Sequence, residues 1–353
     1  MKILLFGEFS GVHTNLKYGL RKLGHEVTLV SDGDGVKNMT GADVNIRCRS
    51  KGRILRGVET RLRFLACLRR LKGYDVVQYI DPFFVRLPFE HHLTYLKLLK
   101  KRNGAVFYNG CGNDPYITMT MINQKYSPLH NEVKEECFDG ILKKLNVKAI
   151  CSTLRTYRQF DGIVSSTFTY HDALSRQSNY RGFVPFPARL DVEVPPLDYH
   201  GKINIFFGYI RKTFKGANYI LQALERLQDE YADRVCVNVV NRVPYDTYIR
   251  MFRNSHIFID QACSSGYGMN TLLGLAAGKV VLSGCEPGMR QLVGVDCPVI
   301  NILPDAEDIY QNLRSLIDDP GRIKKITGES RAFAERVHDP VEVARKYLQI
   351  WTA

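Results

Sequence analysis

Residues Ile259–Gly284 read "IDQACSSGYGMNTLLGLAAGKVVLSG". An apolar run ends at Asp260-Gln261 and a Gly266-Tyr267-Gly268 turn follows. A helix of small residues then stops at Gly278, and a second short apolar run closes the segment. Strand, glycine turn and helix in that order is how α/β proteins aim a helix N-terminus at a phosphate. Gly266 and Gly268 let backbone N–H groups approach an anion, with Tyr267 between them, and Met269, Asn270 and Thr271 open the helix. The same turn also serves a protein that needs only close packing of helix on strand.

Outward from this segment the pattern repeats in both directions. Residues 2–31 give a strand "KILLFG", a turn, a helix "VHTNLKYGLRKLG" and a strand "HEVTLVS", a length that implies a right-handed parallel crossover. Further strands are "YDVVQYI", "GAVFYNG" and "FDGIVSST", with a helix over Leu93–Lys101. The stretch from Arg181 to Gly201, carrying Pro185, Pro187, Pro195 and Pro196, breaks the alternation and reads as a linker. Beyond it come "KINIFFGYI", "RVCVNVV", "HIFIDQ" and "KVVLSG", separated by helical stretches. The tail from Asp305 is helical to the end. Two parallel α/β units, each with its own core, are therefore expected to meet across a proline-rich joint. Ligands of such sheets bind beyond the carboxyl ends of the strands.

The 353 residues suit two domains, and 45% apolar with 24% charged residues is the balance of a globular chain. The opening "MKILLFGEFSGVH" is interrupted by Gly7 and Glu8, so it is read as a buried strand and not a signal peptide. No run reaches the roughly 20 apolar residues that span a bilayer. Nine scattered cysteines without a CxxC pair argue against a disulfide framework or structural zinc and for a reducing, cytoplasmic setting.

Net charge is +13, and much of it is local: ten basic residues and one acid, Glu59, lie between Arg47 and Lys72. Ile54, Leu55, Val58, Leu62, Leu65 and Leu68 recur at helical spacing. The expectation is an amphipathic helix that lays its leucines on a sheet and turns an arginine-rich face outward. That face is either merely solvated or attracted to anionic lipid headgroups or an anionic acceptor. No nucleic-acid-binding signature accompanies the charge.

Three further loops carry candidate chemistry. "GEFSGVH" after the first strand has Gly7 and Gly11, which permit a tight turn and a ligand at the following helix N-terminus. "FFGYIRKTFKG" places Arg211, Lys212 and Lys215 at a strand's carboxyl end, where cations offset the charge that grows on a diphosphate leaving group. "VFYNGCGNDPY" ends another strand and offers Asn109 and Asp114. A carboxylate there suits proton abstraction from an acceptor hydroxyl, or equally caps the turn before Pro115. Asp81 is a similar, weaker case. His91 and His92 have no partner at metal-ligand spacing, no Asp-x-Asp occurs, and no metal site is expected.

"LRKLGHEVTLVS", "FGYIRKTFKGANYILQALERL" and "GYGMNTLLGLAAGKVVLSG", in that order, resemble signatures of GT-B glycosyltransferases. The likeness is to the large fourth family of retaining enzymes that build bacterial surface polysaccharides. It spans nearly the whole chain and is concentrated in the C-terminal half. It implies two Rossmann-like parallel-sheet domains facing a central cleft: an acceptor domain over 1–195, joined by a C-terminal crossover helix over about 338–353, and a nucleotide-sugar domain over 196–337. It also implies a hexosyltransferase-type enzyme that retains configuration and needs neither metal nor cofactor beyond its nucleotide-diphosphate sugar.

By the resemblance, Arg211 and Lys215 hold the donor diphosphate in a loop about one residue longer than usual, and Gly266 and Gly268 match the phosphate-proximal glycines. The Gly266–Thr271 turn, and Gly11 from its own glycine turn, complete the expected donor site. Asn109 and Asp114 stand where relatives touch the reacting sugar or acceptor. The family's two late glutamates do not carry over, because Ser265 and Leu273 occupy their positions. Leucine cannot accept from a ribose hydroxyl, and Asp260 and Glu286 are the nearby substitutes. The acceptor implied is a glycan, or one linked to polyprenyl diphosphate, at the inner face of the cell membrane. The rival expectation, raised by the lost glutamates, is a non-catalytic GT-B scaffold of a polysaccharide-assembly complex.

Overall fold

The computed structural model describes residues 1–34, 39–48, 50, 52–83, 91–130, 145–192, 194–195 and 201–353, excluding the side chains of residues 53, 54, 56, 57, 60, 61, 91 and 245. The expected domain boundary at 195–196 touches a stretch outside the described residues.

Short β-branched and aromatic runs form the strands of the first half: β1 (Lys2–Phe6), β2 (Glu26–Ser31), β3 (Val44–Asn45), β4 (Val76–Tyr79), β5 (Ala105–Gly110), β6 (Gly162–Ser165) and β7 (Tyr180–Phe183). They make one parallel sheet in the order β3-β2-β1-β4-β5-β6-β7. The second half contributes β8 (Ile203–Tyr209), β9 (Val235–Asn241), β10 (Ile257–Gln261), β11 (Val280–Ser283) and β12 (Ile300–Asn301), parallel in the order β12-β11-β10-β8-β9. The strand order reverses between β1 and β4 in the first sheet and between β8 and β10 in the second. Crevices therefore open at the carboxyl ends of these four strands, where an open sheet binds ligands.

Helices cover both faces of the first sheet. One face buries α2 (Arg53–Leu68), α3 (His91–Arg102), α4 (Pro115–Ile122) and α5 (Val147–Tyr157) over Leu4, Phe6, Val77, Tyr79, Val106 and Tyr108. The other buries α1 (Val12–Lys22) over Ile3, Leu5, Val76, Phe107 and Val164. A short helix, α6 (Phe168–Leu174), follows β6. In the second half the helices are α7 (Lys212–Lys215), α8 (Ala217–Glu230), α9 (Tyr245–Arg253), α10 (Met269–Ala276), α11 (Pro287–Val293), α12 (Ala306–Ile317) and α13 (Pro320–His338).

The last helix, α14 (Pro340–Thr352), leaves the second half and lies on the first. Val343, Ala344, Tyr347 and Trp351 join the core of Ile3, Leu5, Leu16 and Leu20, and the Trp351 indole N–H donates to Gln78 Oε1 at 3.0 Å. The approach is close enough that a Cβ at Gly19 would lie 1.9 Å from the Pro340 carbonyl oxygen. A further core is shared between the halves: Val12, Ile80 and Cys111 pack into one cluster with Tyr267, Leu272, Met289 and Val337.

Most of the apolar stripe of α2 is not where its spacing placed it. Phe64, Cys67 and Leu68 face the sheet, whereas Leu55, Val58, Leu62 and Leu65 lie on the opposite side of the helix and are 67%, 47%, 62% and 44% exposed. Among the described side chains of α2, Phe64, Cys67 and Leu68 in its last turns join the core and set which side of those turns faces in. This corrects the expectation that the stripe packs on the sheet for Leu55, Val58, Leu62 and Leu65; Leu68 packs as expected, and the side chain of Ile54 lies outside the described residues.

Candidate functional site

The loops at the two switch points meet. From the second half come residues 210–216 after β8 and 262–268 after β10. From the first come residues 7–11 after β1, 111–114 after β5, Tyr126 and α6. Ser265 Oγ donates to the Tyr126 carbonyl at 3.4 Å, and a Cβ at Gly266 would lie 3.3 Å from Phe168 N and 3.4 Å from its Cβ. Gly288 is packed against the Phe168 ring in the same way, with 2.2 Å left for a Cβ.

Lys215, Asp260 and Thr271 form one unit. Lys215 Nζ is paired with Asp260 Oδ1, and Thr271 Oγ1 donates to Asp260 Oδ2 at 2.8 Å. Asp260 is 2% exposed and both of its oxygens are engaged, so it is not free to receive a ribose hydroxyl as placed. Gln261 Oε1 accepts a longer bond from Lys215 Nζ at 3.4 Å. Thr271 is fully buried, so its hydroxyl serves Asp260 and faces no ligand. Lys215 is therefore poised at a strand end by a carboxylate that the motif pattern did not assign to it.

Arg211 stacks its guanidinium on Phe214, 3.6 Å from the ring centroid. Its charge also reaches Tyr170 of α6 across the cleft, where it works against the burial that raises that phenol. The turn divides its glycines: Gly266 is filled in by Phe168 and Met289, while Gly268 looks onto open space. Gly268 begins α10 without any side-chain cap, leaving the N–H groups of Met269, Asn270 and Thr271 at a helix N-terminus whose dipole favours an anion. Met269 and Asn270 are half-buried. Tyr267 turns inward instead: its hydroxyl meets His338 Nε2 at 3.1 Å in a buried joint, and burial raises its pKa far above the usual phenol range. Only its backbone remains for a ligand. Leu273 packs with the shared core, an apolar wall where a ribose acceptor would be needed.

On the first-half side, the anion site at the start of α1 already holds an anion. Glu8 Oε1 accepts from Gly11 N at 3.0 Å and His13 N at 3.4 Å, and Oε2 accepts from Thr14 N at 2.7 Å and Thr14 Oγ1 at 2.6 Å. Glu8 is 1% exposed, and its burial raises the carboxyl pKa against those hydrogen bonds. Gly11, at φ +88°, supplies the turn that lets Glu8 reach back, so its N–H is committed to that carboxylate. The signal was an acid three residues before the helix cap.

Asn109 is fully buried; its Oδ1 accepts from Ser166 Oγ at 3.1 Å, and its Nδ2 has no partner among the described residues. Asp114 caps α4: Oδ1 accepts from Ile117 N at 2.9 Å, and Oδ2 from Tyr157 OH at 2.5 Å and Tyr108 OH at 3.3 Å. Burial raises its carboxyl pKa, with those hydrogen bonds pulling the other way. As placed, Asp114 is an enclosed cap and not a base open to a substrate hydroxyl. Asp81 Oδ1 accepts from Phe83 N at 2.7 Å in a local turn. Glu286 begins α11 beside the site: its N–H donates to Ser265 O at 3.1 Å and its Oε1 accepts from Asn301 Nδ2 at 2.6 Å. No metal-binding group of His, Cys, Asp or Glu occurs among the described residues.

Two parallel-sheet domains facing each other at their switch points, with the last helix crossing back, form the GT-B fold. Solved structures share it over the full length. Sucrose-phosphate synthase from Thermosynechococcus elongatus matches with a TM-score of 0.66 at 12% identity, covering 100% of this chain and 98% of its own. Anabaena HepE in complex with UDP and glucose matches with a TM-score of 0.63 at 11% identity, covering all of both chains. The lipopolysaccharide outer core galactosyltransferase WaaB matches at 0.52 and 14%, covering 99% of each. No protein-family model and no curated protein sequence matches the chain.

Proposed function

We propose that the chain is a glycosyltransferase that takes a sugar from a nucleotide-diphosphate donor, retains its configuration, needs no metal, and passes the sugar to a glycan of a bacterial surface polysaccharide. The observation that carries this reading is the convergence at the β8–β10 switch point. Arg211, Lys215 and the uncapped N-terminus of α10 beside the open side of Gly268 face the loops of the other domain. A diphosphate set there gains two cations and a helix dipole, and these act hardest as the sugar–phosphate bond breaks and charge moves onto the leaving group. The neighbours holding UDP and glucose, or named for lipopolysaccharide, support the donor and acceptor classes.

The acceptor side is assigned to the loop after β5, fixed from below by Asn109 and Asp114. A lipid-linked glycan as acceptor places the work at the inner membrane surface. The test is nucleotide-induced thermal stabilisation with UDP, GDP, CMP and dTDP, since a ligand of the folded state raises stability with its affinity. One nucleotide is expected to raise Tm, and Arg211→Ala and Lys215→Ala are each expected to weaken its binding by roughly tenfold or more. The second reading, a non-catalytic scaffold, is favoured by the apolar Leu273 wall and by the use of Asp260 on Lys215. A Tm that responds to none of the four nucleotides selects it.

A further inference from the structure

We infer that α2 is a membrane-docking element that inserts an apolar face into an anionic lipid leaflet, not only an arginine-rich surface attracted to it. Leu55, Val58, Leu62 and Leu65 follow one another at helical steps of three and four, and all are about half exposed or more. Phe64, Cys67 and Leu68 hold the opposite side of the same helix on the sheet, so the stripe is presented outward by a fixed element. An exposed stripe of this kind on a helix about 24 Å long needs a partner that removes it from water.

The chemistry beside the stripe names that partner. Arg69 continues the stripe one turn beyond Leu65, and a hollow at this end of the helix is lined by Arg69, Lys72, Gly73 and Arg102. The three cations are exposed and have no carboxylate partner among the described residues, while Arg102 also donates to the Leu68 carbonyl at 3.3 Å. Apolar side chains ending in a cationic hollow fit the boundary between acyl chains and anionic headgroups, with the leucines entering and the cations stopping at the phosphates. No helix among the described residues is long and apolar enough to cross a bilayer, so α2 lies on the surface. The inference deepens the proposed function and rests on it for the lipid-linked acceptor that makes docking useful.

The experiment is sedimentation of the full chain with vesicles of phosphatidylcholine alone or mixed with phosphatidylglycerol, at low and high salt, beside sedimentation velocity without lipid. Binding is expected only with phosphatidylglycerol, with a fraction that survives high salt. Leu62→Ser/Leu65→Ser should lower vesicle partition by on the order of a hundredfold and remove that salt-resistant fraction. Arg69→Glu/Lys72→Glu should remove the salt-sensitive part. Equal partition of wild type and the leucine variant overturns the inference, as does failure of the wild type to bind. A concentration-dependent dimer that the leucine variant abolishes also overturns it, making a second copy the occupant. Nucleotide-induced stabilisation of the same samples is read separately. Vesicle binding without a nucleotide response sinks the donor reading alone, and a nucleotide response without vesicle binding sinks the docking alone.

Discussion

Asp260 shows how a single buried residue redefines a motif. The strand end "IDQ" was legible as a donor-site strand, and its aspartate stood out as a spare acceptor. Its tie to Lys215 was not legible, because that contact joins residues 45 apart and depends on α7 folding back toward β10. Lys215 has a side chain 19% exposed and Asp260 2%, so removing either partner leaves a charge in a largely enclosed place. Asp260→Ala is expected to destabilise the fold by about 3 kcal/mol, whereas Asp260→Ala/Lys215→Met should recover most of the loss. Urea denaturation of the four proteins in the cycle measures this. A coupling energy below about 0.5 kcal/mol would mean that the pair does not hold the loop.

At the scale of elements, strands and helices with a strong period were readable, and so was their order. What escaped were pieces whose form is set by neighbours. The two-residue strands β3 and β12 exist only as edges of a sheet, and β7 carries Gly182 at φ +129°. The orientation of α2 was misread because the exposed Leu55, Val58, Leu62 and Leu65 outnumber the Phe64, Cys67 and Leu68 that anchor its last turns. In the sequence Asp114 reads as a base or as the cap of a turn before Pro115. In the fold it caps the helix α4, with proline in the first turn, and the two tyrosines that close over that cap come from β5 and α5.

That closure makes a prediction about α4. Asp114→Ala removes the cap and strips two buried phenols of their acceptor, with an expected cost of about 3 kcal/mol in chemical denaturation. Asp114→Asn keeps the capping oxygen and should cost about 1 kcal/mol. If Asp114 acts only through α4, the asparagine variant keeps its transfer rate within a few-fold. A loss beyond about a hundredfold with the fold intact would restore it as a proton acceptor.

For the whole molecule, the joint between the halves is expected to weaken in acid. His338 ends α13 and holds three parts together: Nδ1–H donates to the Phe186 carbonyl at 2.8 Å, Nε2 accepts from Tyr267, and its own carbonyl accepts from Ala188 N at 2.8 Å. Burial pushes its pKa down to about 4, opposed by the Phe186 bond and aided by Lys346. His13, at the start of α1, is likewise pushed to about 4 by burial, with Nδ1–H on the Gly7 carbonyl at 2.7 Å. An unfolded histidine titrates near 6.5, so below that pH the unfolded chain binds protons the folded one refuses, and stability rises with pH. Their stabilising contribution is fully present above about pH 6.5 and is lost as pH falls toward 4. Each approaches a loss of about 1.4 kcal/mol per pH unit below 6.5, where titration of the unfolded form is half complete, so the pair loses about 3 kcal/mol between pH 6.5 and 5. Glu8 and Asp114 have raised pKa values and oppose the trend in more acidic solution, where they take up protons in the folded state. Thermal melts from pH 7.5 to 5 should therefore show Tm falling steadily below 6.5, and His338→Gln should flatten that fall by about half. A Tm that stays level to pH 5 would show that the joint does not depend on neutral imidazoles.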